Sequence, residues 1–317
     1  MARPKSTNVV LDFTLSPGTV QYIDLFQCLS VLNRQSYRQG YMLSVDFIEY
    51  IGDATQQIQV VKIPEGYTTH RAHELVYRLW KAQRAEALDD LDSLSPGKWS
   101  DFKVYMEALH ESEGGLANLL PKGMSSGGTG LNQPVAYGNA EWNYADIVYH
   151  DPAAPGTSNQ LDIQMLGLND LPNGRAACID TWGEVRLRTM NPDSLTPLDA
   201  STSWAVWTGE NTADQTSQVI DLIEDENDSP PYGNEPDTTL SAILIGANSL
   251  PGGVLVDSAL VGTTGRAVSL DGGLIPCGLL KVEVGGSVAP FIYSTLRVHV
   301  TRGEYKGVAA LPMGDFS

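Results

Sequence analysis

A chain of 317 residues, 42% apolar and 18% charged, can bury a large core and carries too little charge for a disordered tail protein. Its formal net charge of −18 disfavours general attraction to nucleic acid or to anionic membranes. Thirty-one glycines and eighteen prolines suit many short strands joined by turns.

The first elements read clearly. Thr7–Leu15 is β-branched and apolar, and Ser16-Pro17-Gly18 ends it before Thr19–Ile23 resumes an extended pattern. Asp24–Arg34 predicts a short helix, because Leu25, Cys28, Leu29 and Leu32 recur at three-to-four spacing. Tyr41–Ile51 predicts a long strand with Tyr41, Leu43, Val45, Phe47, Glu49 and Ile51 on one face, and Thr55–Ile63 another strand. The one strong helix is expected over 69–91, where Ala72, Leu75, Val76, Leu79, Trp80 and Ala87 form a stripe.

Trp99–Leu109 is expected as a strand and Gly123–Gly130 as a flexible loop. Ala140–Tyr149, Gln160–Leu166, Thr181–Met190, Thr239–Ile245, Leu279–Val284 and Phe291–Val300 complete the strand candidates. Alternating strand–helix order is absent, so the expected class is all-β dominated: an antiparallel sandwich or jelly roll with one substantial helix and long loops. It is read as a single domain over 1–317 with insertions. Between Arg188 and Arg266 there are twelve carboxylates and no Lys or Arg, so 189–265 is expected to be an acidic, outward-facing elaboration.

Cys28, Cys178 and Cys277 are odd in number and far apart, which fits buried free thiols rather than a disulfide framework. Met1–Ser6 is polar and opens no secretory signal, and the apolar runs fall short of the ~20 residues that cross a bilayer, so no membrane insertion is expected.

Motifs for catalysis fail on context. Gly123-Met124-Ser125-Ser126-Gly127 matches a nucleophile elbow, but Gly128-Thr129-Gly130 cannot open the helix that must follow. Among His70, His73, His110, His150 and His299, the pair His70 and His73 lies three apart on a helix and could share a ligand. There is no HExxH and no cysteine near any of them, so ordinary imidazoles are the commoner reading. Asp221, Glu224, Asp225, Glu226 and Asp228 offer hard oxygens suited to calcium, yet they lack the glycine and final glutamate of an EF-hand loop. A solvated acidic loop is the commoner reading of such a run. Trp204 and Trp207 suggest a sugar platform, although core packing is the commoner use of tryptophan.

Several segments together resemble one family. These are Tyr22-Ile23-Asp24-Leu25-Phe26-Gln27-Cys28-Leu29-Ser30, Asn33-Arg34, Tyr37-Arg38-Gln39-Gly40 and Trp80-Lys81. Lys98–Tyr105, Asn118-Leu119-Leu120-Pro121, Glu226–Tyr232, Gly303–Val308 and Ala310-Leu311-Pro312-Met313 follow in the same order. The chain thereby resembles capsid proteins of environmental, marine-type circular Rep-encoding single-stranded DNA viruses. The resemblance implies a jelly-roll coat subunit without enzymatic activity. It implies self-assembly inside a host cell into an icosahedral virion, a homo-oligomeric shell around single-stranded DNA.

Such subunits often carry a basic N-terminal arm, whereas here only Arg3 and Lys5 precede the first strand. Either weak, non-specific DNA contact comes from Arg3, Lys5, Arg34 and Arg38, or another component supplies the positive charge, multivalent cations being the simplest. No cofactor is expected beyond calcium at subunit contacts, and the receptor is undefined. The alternative from a different class is a β-sandwich carbohydrate-binding protein or glycoside hydrolase.

Overall fold

The computed structural model describes residues 7–16, 18–52, 56–89, 101–112, 118–124, 134–138, 142–150, 158–170, 174–182, 253–262, 267–285 and 294–314. Within them the chain is strand-dominated and its sheets are mainly antiparallel. It opens with β1 (Val10–Leu15), β2 (Val20–Asp24), α1 (Leu25–Asn33), β3 (Tyr41–Ile51) and β4 (Gln57–Lys62). Next come α2 (Tyr67–Asp89), α3 (Ala108–Ser112), β5 (Lys122–Met124), β6 (Pro134–Ala136), β7 (Asp146–His150), β8 (Ser158–Gln164) and β9 (Arg175–Ala177). The chain closes with β10 (Val254–Leu260), β11 (Ala267–Pro276), β12 (Leu279–Gly285), β13 (Ser294–Val300), β14 (Arg302–Gly303), β15 (Gly307–Val308) and β16 (Ala310–Pro312).

Two sheets dominate. One runs β1-β13-β3-β11, with β16 also paired to β3, and the other runs β10-β4-β12-β2. Alternation puts one face of each strand inward: Leu11, Phe13 and Leu15 on β1, Leu296, Val298 and Val300 on β13, Leu280, Val282 and Val284 on β12. With Ile58, Val60 and the underside of α1 they form the main core. Burying side chains of this size contributes about 1.5–3 kcal/mol each, which is what holds the two sheets together.

Helix α1 closes one end of this core. Asp24 caps its N-terminus by accepting from Phe26 N and Gln27 N, and Arg34 ends it in left-handed backbone, donating its N–H to Ser30 O. The tight turn between β11 and β12 places Cys277 and Gly278 both at positive φ. A Cβ on Gly278 would meet the ring of Phe26 at 2.6 Å.

Strand β3 keeps the span that its sequence predicts but not the single face. Against β13, His299 pairs with Phe47 and Val300 with Val45, so Asp46 is an extra residue. This bulge exchanges the faces: Leu43 and Val45 point inward before it, Ile48 and Tyr50 after it. Phe47 therefore emerges and stacks on His299 with centroids 4.1 Å apart. On the other flank Gly272 lies opposite Asp46, where a Cβ would sit 2.2 Å from Val45 O, so the bulge admits only glycine there.

Described residues between β4 and β10 build a second layer on the outer face of the β10-β4-β12-β2 sheet. Ala72 and Val76 of α2 pack with Phe102, Val104, Met106, Ile147, Ile163 and Met165 in a second core, against Tyr22, Met42, Leu279, Cys277 and Met313 of the sandwich. The three-stranded sheet β7-β8-β9 belongs to this layer, its last pair being parallel. Covered on both sides, β12 is buried almost end to end, including Lys281.

Three expectations need correction. Trp99–Leu109 is not a strand over its described part. Its backbone bonds scatter to separate neighbours: Ala145 N donates to Lys103 O, Tyr105 N to Ile163 O and Leu166 N to Met106 O, and the chain then turns into α3. In Ala140–Tyr149 the ladder begins only at Asp146. Thr181 and Trp182 adopt helical backbone, and 183–190 lies outside the described residues, as does Thr239–Ile245. Of the acidic 189–265 stretch, β10 is a strand of the second sheet, while 189–252 lies outside the described residues.

Candidate functional site

The densest polar chemistry among the described residues lies in the seam between sandwich and inserted layer. It starts from Asp24, fully buried at the end of β2. One carboxylate oxygen, Oδ1, caps α1, while Oδ2 accepts from Gln39 Nε2 at 2.5 Å and Trp142 Nε1 at 2.8 Å. Gln39 Oε1 in turn accepts from Val104 N at 2.8 Å, so one side chain ties the sandwich to the segment before α3. Burial pushes the Asp24 carboxyl up to about 6, against four donors that each favour its charged form. The Lys103 ammonium lies 4.7 Å from the Trp142 ring centroid, and burial lowers its pKa while Asp101 and Asp24 pull it back.

A second branch centres on His110. Its ring stacks on Tyr22 at 4.6 Å, its Nδ1 accepts from Met106 N at 3.0 Å, and its Nε2 lies 2.6 Å from Asn118 Oδ1. An Nδ1 that accepts and an Nε2 facing a carbonyl oxygen fix the neutral tautomer with hydrogen on Nε2. Asn118 Nδ2 then donates to Gln27 Oε1 at 2.9 Å and to Tyr144 OH at 2.7 Å. Burial lowers the His110 pKa to about 4. Beyond Tyr22, whose hydroxyl donates to Glu107, the Lys281 ammonium lies 3.2 Å from both Glu107 and Glu283.

His73 of α2 is the other buried imidazole of this layer, edge-on to Phe102 at 5.2 Å. Burial first, and His70 second, bring its pKa down to about 4. His70 itself approaches Met313 O through Nδ1 at 3.1 Å. All three cysteines are buried free thiols, as expected from their spacing. Burial pushes each of them upward, away from the thiolate that a nucleophile needs. The arrangement fastens segments together, with Asp24, His110 and Asn118 as its knots.

The residues nominated from sequence fall elsewhere. Arg34 is exposed at the α1 C-cap, and Arg38 is exposed beside Asp101, 3.2 Å away. Arg38 also rims a shallow cleft with Tyr41, Tyr77 and Phe102. Arg3, Lys5, Asp221, Glu224, Asp225, Glu226, Asp228, Trp204 and Trp207 lie outside the described residues. Among described residues no group of three or more His, Cys, Asp or Glu has metal-binding geometry. Asp146 and Asp162 are direct partners across β7 and β8, and burial, with that contact second, raises the Asp162 carboxyl.

One surface feature bears on association. β10 ends its sheet, and no strand pairs with its far edge among the described residues. Leu255 and Leu260 on it are 52% and 65% exposed. Comparison with protein-family models, with curated proteins and with solved structures returns no match to this chain.

Proposed function

We propose that this chain is a viral coat subunit with a jelly-roll fold, which self-assembles into an icosahedral shell around a circular single-stranded DNA genome. The pairing order of the long strands carries the reading. Taken in chain order as β1, β2, β3, β4, β10, β11, β12 and β13, the first pairs with the last, the second with the next to last, the third with β11 and the fourth with β10. A ribbon doubled in this way is then rolled, so that β13 also meets β3 and β12 also meets β4. That path is the one a jelly roll follows, and coat proteins and lectins both use it.

What favours a coat over a lectin is the family-like set of segments, several of whose described members pack on one another. Arg38 N donates to Tyr305 OH at 3.1 Å, and Tyr37 OH donates to Lys306 O at 3.0 Å. Tyr22 and Asn118 are joined instead by a parallel backbone bridge. Segments far apart in sequence thus form one packed unit, which is what a shared architecture requires. The β10 edge, which no strand pairs among the described residues, offers backbone and exposed leucines to a neighbouring copy. Arg34 and Arg38 are the exposed described cations assigned to DNA, with multivalent cations neutralising the rest.

Negative-stain electron microscopy of the purified chain, at two salt concentrations with and without calcium, tests this. Uniform closed particles are expected. Filaments would keep the structural role and remove the icosahedral claim. A monomer in every condition that binds glycans would replace the reading with a carbohydrate-binding sandwich.

A further inference from the structure

We infer that the seam between sandwich and inserted layer is an acid-opened joint: proton uptake by the buried imidazoles His73 and His110 releases the layer while the sandwich stays closed. This stands on the geometry of the seam and does not depend on the coat-protein reading.

At His110 the hydrogen-bond roles decide the matter. Nδ1 accepts from Met106 N, so a proton arriving there would set N–H against N–H and break that bond. The other nitrogen already holds Asn118, which holds Gln27 of α1 and Tyr144. Losing the ring's position therefore loosens a chain of contacts that crosses the seam. The groups facing this ring are Tyr22 from β2, Tyr105 and Tyr144 from the layer, and, beyond Tyr22, Glu107 with Lys281 of β12. Glu107 attracts a positive imidazole and Lys281 offsets it, leaving burial as the governing influence.

His73 has no exposed surface and packs edge-on to Phe102, with His70 as the ionisable group acting on it. A charge there would sit in the second apolar core. The core between the two large sheets is lined instead by aliphatic and aromatic side chains, and His299 lies on its outer face against Phe47. Acid therefore acts on one core and spares the other.

The sign follows from linkage. Both imidazoles lie at about 4 in the closed seam, against 6.5 when exposed, so opening takes up protons and is favoured as pH falls from 6.5 towards 4. Asp24 works the other way. Its carboxyl is raised to about 6 from 3.8, so its protonation favours the closed form over the same range. Two imidazoles against one carboxyl leave a net rise in the open population on the order of a hundredfold between pH 7 and pH 4.

The cysteines report this directly, because Cys178 and Cys277 lie in the seam core and Cys28 in the sandwich core. Cys28 touches the layer through a hydrogen bond from its Sγ to Leu119 O at 3.4 Å. The full chain is pulsed with 4,4′-dithiodipyridine, which reacts with thiols in acid, at pH 7, 6, 5 and 4, and labelled peptides are quantified by mass spectrometry. Rates are divided by those of a free thiol at the same pH. Cys178 and Cys277 should gain on the order of a hundredfold, with Cys28 lagging well behind. In the His73→Phe, His110→Gln double variant the gain should vanish, because glutamine supplies a donor and an acceptor that do not titrate. Should that variant fail to fold, each single variant should remove about tenfold or more. Equal rates for all three cysteines, no gain by pH 4, or an unchanged gain in the variants would each overturn the joint.

Discussion

Tyr22 and Asn118 form a parallel bridge in which Leu119 N donates to Tyr22 O at 2.8 Å, so the inserted layer seals the outer edge of β2. The same sheet ends at its other side in β10, where nothing described does the sealing. One edge is closed by the chain itself, and under the proposed assembly the other meets a neighbouring copy. This asymmetry and the buried polar seam have measurable consequences.

The exposed leucines of β10 should matter for assembly and not for folding. Leu255→Ser with Leu260→Glu is expected to leave the circular dichroism spectrum and melting temperature within a few degrees of the parent. Particle yield, measured by light scattering after size exclusion, should fall at least tenfold. Unchanged particles would show that this edge is not a contact between copies.

Asp24→Asn should cost stability. An amide keeps one oxygen for the α1 cap but turns an N–H₂ towards two donors, Gln39 Nε2 and Trp142 Nε1. Loss of two charge-assisted bonds in a buried site is expected to destabilise by about 2–4 kcal/mol at pH 7. Urea unfolding measures it, and a change below about 1 kcal/mol would contradict the four-donor geometry.

The stability of the whole chain should be acid-sensitive through His73. Its pKa is about 4 when folded and 6.5 once unfolding exposes it, so its contribution is intact above 6.5 and is lost as pH falls through 4. The loss approaches about 3 kcal/mol. His73→Phe should flatten the pH dependence of urea midpoints between 6.5 and 4 by roughly that amount. Parallel curves for parent and variant would show that this imidazole is not protonated on unfolding.

Gly272→Ala probes the β3 bulge. Its Cβ would lie 2.2 Å from Val45 O and 2.6 Å from Asp46 O, both backbone atoms with little freedom to retreat. A loss of about 1–3 kcal/mol is expected. Gly262→Ala, where no atom lies within 4 Å of the added carbon, is the control expected to change little.

Local signals carried a good part of this structure. Tyr41–Ile51 is a strand over that very range, and the helix expected from Asp24 to Arg34 is bounded by those two residues as its caps. The face of β3 was not legible, because the bulge at Asp46 depends on what β13 and Gly272 place beside it. Strands β10 and β11 escaped notice since Asp257, Ser258 and the Gly272-Gly273 pair interrupt any apolar alternation. Trp99–Leu109 alternates only in part, and its described residues find their partners one at a time.

The seam was the least legible part. Asp24, His110, Asn118 and Tyr144 meet only through the fold, and no spacing links them. The one local hint is an aspartate directly before an apolar helix, which marks Asp24 as a cap without revealing Gln39 or Trp142. Arg34 and Arg38, chosen for charge, lie outside this seam, at the exposed α1 C-cap and beside Asp101.

The pairing of early strands with late ones also dictates when the molecule can come into being. Each of β1 to β4 finds its ladder partners among β10 to β16, so the beginning of the chain must wait for its end. While the ribosome is still making the inserted layer, none of the described ladders of the two large sheets can close. Lys62 meets Val254 only after the whole insertion has been synthesised, a loop closure that belongs to the slow, non-local class of folding. During that interval the early strands expose apolar faces and unpaired edges to whatever else is nearby, including other nascent copies. A chain stopped after β9 would hold one strand of every pair in the two large sheets and complete none of them.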